Sequence, residues 1–349
     1  MNRLKVGVIG FGYWGPNLAR NFFDLPSSDL VAISDLKQER LQRARSLYPA
    51  ITLTDDYTKL FSMGLDAVVV STPPALHYQI TKDCLEHGLS VLVEKPLTLS
   101  SQHAQELIDL AETKGLTLMV GHTFEYNSAV RSLKAYIDSG ELGDIYYIDT
   151  ARLNLGLFQR DSNVLWDLAP HDISILLYLL GQAPETVSAQ GMPCVFEEIF
   201  DVAYVNLMFP SGIPAHIHVS WLDPCKVRRV TVVGSKKMIV YNDLENEQKL
   251  KIYDKGVEAP EYTNGFGEFQ CNYRSGDIVI PNIRFVEPLR EECQHFVDSI
   301  VNQTQPWSSG REGLKVVKVL EAAESSMRNG SKQERIVWEH QNIPALPQM

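Results

Sequence analysis

From Leu4 to about Gly121, short apolar runs rich in β-branched residues alternate with segments whose apolar positions recur at helical spacing. The runs LKVGVIG, LVAISD, ITLT, DAVVVST, SVLVEKP and LTLMVGH read as strands. Between them, GPNLARNFFDL, QERLQRARSLY, HYQITKDCLEHG and SQHAQELIDLAETKG read as helices, with Gly88 and Gly115 placed as stops for two of them. Strands that are apolar throughout and alternate with helices predict a parallel sheet covered on both faces.

The texture then changes. NSAVRSLKAYIDSGELG reads as a helix, DIYYIDTARLNLG as a long strand, and NVLWDLAPHDISILLYLL as a helix ending at Gly181. Long segments with turn-like interruptions at PSGI and VGSKKM follow, the pattern of an antiparallel meander. Two closing helices, EPLREECQHFVDSIVNQ and GREGLKVVKVLEAAESSMRNG, are expected to finish that domain. The expected fold is an α/β parallel-sheet domain over residues 1–123, followed by an α+β domain over 124–349 with a large open, mostly antiparallel sheet.

At 349 residues, 44% hydrophobic and 21% charged, the chain has the composition of a globular protein of two domains. A net charge of −11 argues against a nucleic-acid partner. The five cysteines are scattered without a C-x-x-C pair, which favours reduced thiols, no metal site and a cytoplasmic location. No apolar run approaches membrane-spanning length.

Gly10-Phe11-Gly12-Tyr13-Trp14-Gly15 follows the first predicted strand and opens a helix. In that context the first glycine permits the tight turn, the second lets the backbone approach a pyrophosphate, and the third allows close helix–strand packing. The helix amino terminus, with Pro16 in its first turn, then offers N–H donors to phosphate. Asp35 closes the second strand, where a carboxylate accepts from the adenosine ribose hydroxyls and repels a 2′-phosphate. NAD is therefore favoured over NADP, with Lys37 nearby as the one opposing feature.

Three further stretches stand out: STPPALH (71–77), EKP (94–96) and WDLAPHD (166–172). With GFGYWG they resemble the glucose–fructose oxidoreductase / inositol dehydrogenase family, Gfo/Idh/MocA, over essentially the whole chain. The resemblance implies a Rossmann-fold first domain and nicotinamide-linked oxidation or reduction of a carbinol, usually on a sugar or cyclitol. It also implies a homodimer or homotetramer associating through the open sheet. Lys95, Asp167 and His171 map onto the family residues that point into a cleft beside the nicotinamide. Thr72, Pro73 and Glu94 are placed with the cofactor. The chain departs from the family pattern at Ala169, at Ser174, where an aspartate is often found, and at Pro170. Pro170 predicts that the helix starts about there, with Asp167 just before it or in its first turn.

Hydride removal from a carbinol leaves a proton to be accepted, and an imidazole such as His171 suits that near neutrality. Lys95 can hydrogen-bond the reacting oxygen or itself act as the base. Asp167 can orient the imidazole or bind a substrate hydroxyl. His77 either lines the cofactor side or simply starts a helix. His122 and Tyr126, after the sixth strand, either line the cleft or pack inside. His216 and His218 share one strand face without acidic or thiol partners at ligand spacing, so a packed or inter-subunit face is favoured over a metal site.

Arg152, Asn154 and Arg160 precede the catalytic stretch, and Arg274 lies in a polar and aromatic loop. Arginines suit bidentate capture of phosphate oxygens, so Arg152, Arg160 and Arg274 are candidates for the pyrophosphate of a nucleotide sugar, against a reading as plain surface charge. The pattern RLNLG…NVLWDLAPHDISILLYLLG resembles the branch of the family that oxidises UDP-linked N-acetylhexosamines at C3. A related sugar, uronate or cyclitol, or a redox-neutral NAD-dependent glycosidase, remain as alternatives.

Overall fold

A computed structural model describes residues 3–156, 158–159, 162–258 and 271–338. The chain divides into two compact units, residues 1–127 with 286–321, and residues 128–285 with 322–349.

The first unit contains β1 (Leu4–Ile9), α1 (Gly15–Asp24), β2 (Ser28–Ser34), α2 (Gln38–Leu47), β3 (Thr52–Thr54), β4 (Ala67–Val70), α3 (His77–Glu86), β5 (Ser90–Val93), α4 (Ser101–Lys114) and β6 (Leu118–Val120). Its six strands pair in parallel in the order β3-β2-β1-β4-β5-β6. The order reverses between β1 and β4, and in open α/β sheets ligands sit at the carboxyl ends of strands at such a point. Val6, Val8, Val68, Val69, Val91 and Val93 are wholly buried, as a sheet covered on both faces requires.

The second unit contains α5 (Ser128–Asp138), β7 (Ile145–Leu155), α6 (Val164–Leu180), β8 (Thr186–Met192), β9 (Val202–Met208), β10 (Pro214–Ser220), β11 (Leu222–Gly234), β12 (Met238–Asn242), β13 (Leu250–Glu258) and β14 (Asn272–Val279). Then come α7 (Pro288–Asn302), α8 (Gly310–Arg328) and the short β15 (Glu334–Arg335). The second sheet runs β14-β13-β12-β11-β7-β10-β9-β8-β15, antiparallel except for the β7–β10 pair. α6 packs on β7, β9 and β10. Its Ile173, Ile175, Leu176 and Leu179 are buried, each contributing roughly 1.5–3 kcal/mol.

Two expectations are corrected. The closing helices do not simply finish the second domain: α7 and α8 as far as Glu321 group with the first unit. The reason is apolar, since Leu289, Cys293, Phe296 and Val297 join a core with Leu18 and Phe22, and Phe296 meets Phe22 edge-on. The helix expected to start near Pro170 starts at Val164 instead. Asn163 caps it, its Oδ1 accepting from the backbone N–H of Leu165 (3.0 Å) and Trp166 (3.2 Å). Pro170 lies inside the helix, where it only removes the hydrogen bond its nitrogen would have donated to Trp166.

Beside that helix, Arg152 on β7 reaches Asp172 through Nε–Oδ2 at 2.7 Å and Nη2–Oδ1 at 3.3 Å, both side chains nearly water-free. Removing one partner strands a charge in the interior. Arg152→Met is expected to lower unfolding free energy by about 3–5 kcal/mol, whereas adding Asp172→Leu restores most of it. Urea midpoints of the two variants check this, and an unchanged midpoint for Arg152→Met would contradict it.

Candidate active site

The first unit builds its part on glycine geometry. Gly10 follows β1 with φ +95°, and a Cβ there would meet the Ser71 carbonyl oxygen at 2.6 Å. A Cβ on Gly15 would meet the Gly10 carbonyl oxygen at 2.1 Å, so neither position admits a side chain. Ser71, just past β4, donates its hydroxyl to the Gly10 carbonyl at 2.7 Å and ties the two strand ends together. Tyr13 and Trp14 stand exposed on the loop, their rings edge to face. Asp35, just past β2, is buried and accepts the Phe11 N–H at 2.7 Å, so the loop and the carboxylate hold each other.

Glu94 and Lys95 follow β5, and the Lys95–Pro96 bond is cis. The Lys95 N–H donates to Glu94 Oε2 at 3.3 Å. Gly121 leaves room for that carboxyl: a Cβ there would come within 3.2 Å of Oε2. Burial pushes the Glu94 carboxyl up to about 7, against the opposing charge of Lys95. His122 is wholly buried, and neither ring nitrogen has a partner among the described residues. Burial, and then the nearby Lys95 charge, lower its pKa to about 3, so the ring is neutral.

His77 is also buried, its ring nitrogens 2.8 Å from the Pro96 carbonyl oxygen and 2.9 Å from that of Thr72. It ties the segment after β4 to the one after β5. Thr72 Oγ1 is buried without a partner, while Pro73 beside it is exposed. Tyr126 is a core residue: its hydroxyl contacts His295 Nδ1 at 3.0 Å and Ser308 Oγ at 3.1 Å, and its ring stacks on Trp307. Two buried carboxyls escaped the sequence reading, Glu125 and Glu292. Burial raises both well above the ordinary range, although Thr123 donates its hydroxyl to Glu292 Oε2 at 2.8 Å. Neither belongs to a motif.

In the second unit, Asp167 and His171 are four residues apart in α6 and so share one helix face. Asp167 lies in the first turn of the helix, which starts earlier than Pro170 predicts. Trp221, which the sequence reading passed over, donates Nε1–H to Asp167 Oδ2 at 3.0 Å. Asn154 is half-buried near the end of β7. Arg152 is committed to Asp172, so its charge is met inside the unit rather than offered to a phosphate. Arg274 on β14 pairs with Asp254 at 2.9 Å and donates to the Lys236 carbonyl oxygen. Arg160 lies outside the described residues. His216 and His218 flank Tyr204 on the sheet face, their rings stacked on the phenol at 6.1 and 4.3 Å.

The family models agree with this geometry. Residues 4–122 match the oxidoreductase family with an NAD-binding Rossmann fold, and residues 130–240 match the GFO/IDH/MocA C-terminal domain. The chain belongs to this family. It is an oxidoreductase, and NAD is its cofactor. Scyllo-inositol 2-dehydrogenase (NAD(+)) of Bacillus subtilis is 28% identical, over 94% of this chain and 95% of that one. UDP-N-acetylglucosamine 3-dehydrogenase of Acidithiobacillus ferrooxidans is 26% identical, over 91% and 95%. An Agrobacterium radiobacter oxidoreductase in complex with NAD+, L-tartaric acid and magnesium shares the fold, with TM-score 0.77 at 21% identity over 96% and 99%.

The residues present fit the dinucleotide. The glycine cradle admits no side chain, and the buried Thr72 hydroxyl and His122 ring are polar groups without a hydrogen-bond partner among the described residues. The lowered pKa of His122 also sets a pH dependence. An unfolded imidazole takes up a proton below about 6.5, whereas the folded one does so only near 3. Stability should therefore fall by about 1.4 kcal/mol per pH unit between those limits as pH drops. His122→Asn should flatten that acid limb in urea titrations at pH 6.5 and 4.5. Parallel losses in both proteins would contradict the buried neutral ring.

Proposed function

We propose that the chain oxidises a ring carbinol of a sugar, with C3 of a UDP-linked N-acetylhexosamine as the first candidate. The observation that supports this reading is the presence of the EKP lysine, Asp167 and His171 together in a sequence similar along nearly its whole length to a UDP-N-acetylglucosamine 3-dehydrogenase. The dinucleotide, held by Gly10, Gly12, Gly15, Asp35, Thr72 and Glu94, supplies the hydride acceptor when bound.

Lys95 donates a hydrogen bond to the carbinol oxygen and stabilises the negative charge that grows there as hydride leaves. His171 accepts the proton, a role for which an imidazole needs little tuning. Asp167, its second oxygen held by the Trp221 indole, keeps the imidazole four residues ahead oriented or accepts from a neighbouring ring hydroxyl. Glu94, with its carboxyl lifted to about 7, changes charge in the working pH range beside Lys95 and so modulates the field at the reacting oxygen. A homodimer or homotetramer belongs to the same reading.

One observation favours a second substrate class. Arg152 and Arg274, two of the three arginines suited to a pyrophosphate, are already engaged by Asp172 and Asp254. An uncharged cyclitol needs no such donors, and the scyllo-inositol dehydrogenase is as similar to the chain as the nucleotide-sugar enzyme.

NADH formation with UDP-N-acetylglucosamine, its uronate, scyllo-inositol, myo-inositol and glucose separates the two. The expected outcome is turnover of the UDP-sugar, with kcat lowered roughly 10²–10⁴-fold in Lys95→Ala and in His171→Ala. Turnover of an inositol alone would transfer the same residues to a cyclitol. Full activity in both variants would overturn their roles.

A further inference from the structure

The charge at the adenosine end of the cofactor site differs from what Asp35 alone suggests. A bare carboxylate there repels a 2′-phosphate, which is why an acidic residue is read as selecting NAD. This carboxylate is not bare. Oδ2 accepts from the Phe11 N–H at 2.7 Å and from Arg40 Nη1 at 3.1 Å, and Oδ1 accepts from the Lys37 N–H at 2.8 Å. An ionised carboxylate offers about four acceptor positions. These donors leave one, on Oδ1, whereas the vicinal diol of a ribose would use two.

The remaining ribose substituent must therefore meet Arg40. That side chain comes from the first turn of α2 and is 37% exposed, against 4% for the Asp35 side chain. Its guanidinium also overlies the glycine loop: Nη1, Cζ and Nη2 lie 3.5, 3.7 and 3.8 Å from where a Cβ on Gly12 would stand. A Cβ at Gly12 would therefore stand in van der Waals contact with the guanidinium. Lys37 and Glu39, the other charged residues of this turn, are exposed and solvated.

We propose that Arg40 makes this end of the site accept a ribose 2′-phosphate as well as a 2′-hydroxyl, so that NADP serves as a second dinucleotide. With NAD, one hydroxyl donates to Asp35 Oδ1 and the other accepts from Arg40. With NADP, the 3′-hydroxyl takes Oδ1, and the N–H groups of Arg40 not directed at Asp35 donate to phosphate oxygens. The ion pair brings the local charge near zero. That removes the repulsion without creating a strong attraction, so the two dinucleotides bind with comparable affinity rather than NADP being preferred.

This inference rests on the dinucleotide site and not on the identity of the sugar, so binding is measured directly. Calorimetric titration of the full chain with NAD, NADP, ADP and 2′,5′-ADP should give Kd values within tenfold for NAD and NADP. Arg40→Ala should raise the NADP-to-NAD Kd ratio at least tenfold. Arg40→Gln, which keeps a donor toward Asp35 without the charge, should do the same. A wild-type chain that binds NAD but takes NADP more than tenfold more weakly overturns the proposal, as does a ratio that moves less than tenfold in both variants. Binding of neither dinucleotide would instead overturn the cofactor site itself.

Discussion

Asp172 and Arg152 are inside the second unit, and neither charge tolerates the interior without the other. Their forked contact locks β7 to the stretch of α6 that carries His171, one residue before Asp172. The same helix is capped by Asn163 and held at its first turn by the Trp221 indole on Asp167. Asp167 and His171 therefore project from a segment fixed at three points, and in the proposed mechanism an imidazole held this way would need little reorganisation on receiving a proton.

The first unit meets the same constraint by other means. Asp35 is buried with backbone N–H groups and a guanidinium around it. Burial shifts Glu94, although it accepts the Lys95 N–H, and His122 towards their neutral forms. Lys95 thus stands beside a carboxyl that titrates near 7 and a neutral imidazole.

Local features of the sequence carried most of this architecture. The glycine loop, Asp35 and the alternation of strand and helix each act within a few residues, so Gly10 to Gly15 and the parallel sheet were legible directly. What was not legible depends on partners distant in the chain. Arg152 reads as a phosphate ligand or plain surface charge until its contact with Asp172, twenty residues on, is seen. Tyr126 reads as cleft-lining or packed inside, and only its contacts with His295, Ser308 and Trp307 place it in the core. The helix start was misread because Pro170 is a strong local signal, while Asn163 looks like any loop asparagine before its Oδ1 is placed. Arg40 stands five residues beyond Asp35, and nothing in the sequence says that the two touch.

The central claim is that hydride leaves a ring carbinol for the nicotinamide. It is tested most directly with a substrate deuterated at the carbon to be oxidised, incubated with the full chain and NAD. Mass spectrometry and proton spectra of the recovered dinucleotide then show where the label went. The account predicts deuterium on the nicotinamide C4 in proportion to substrate consumed. Consumption of substrate with the label retained on the ring or released to water would contradict it.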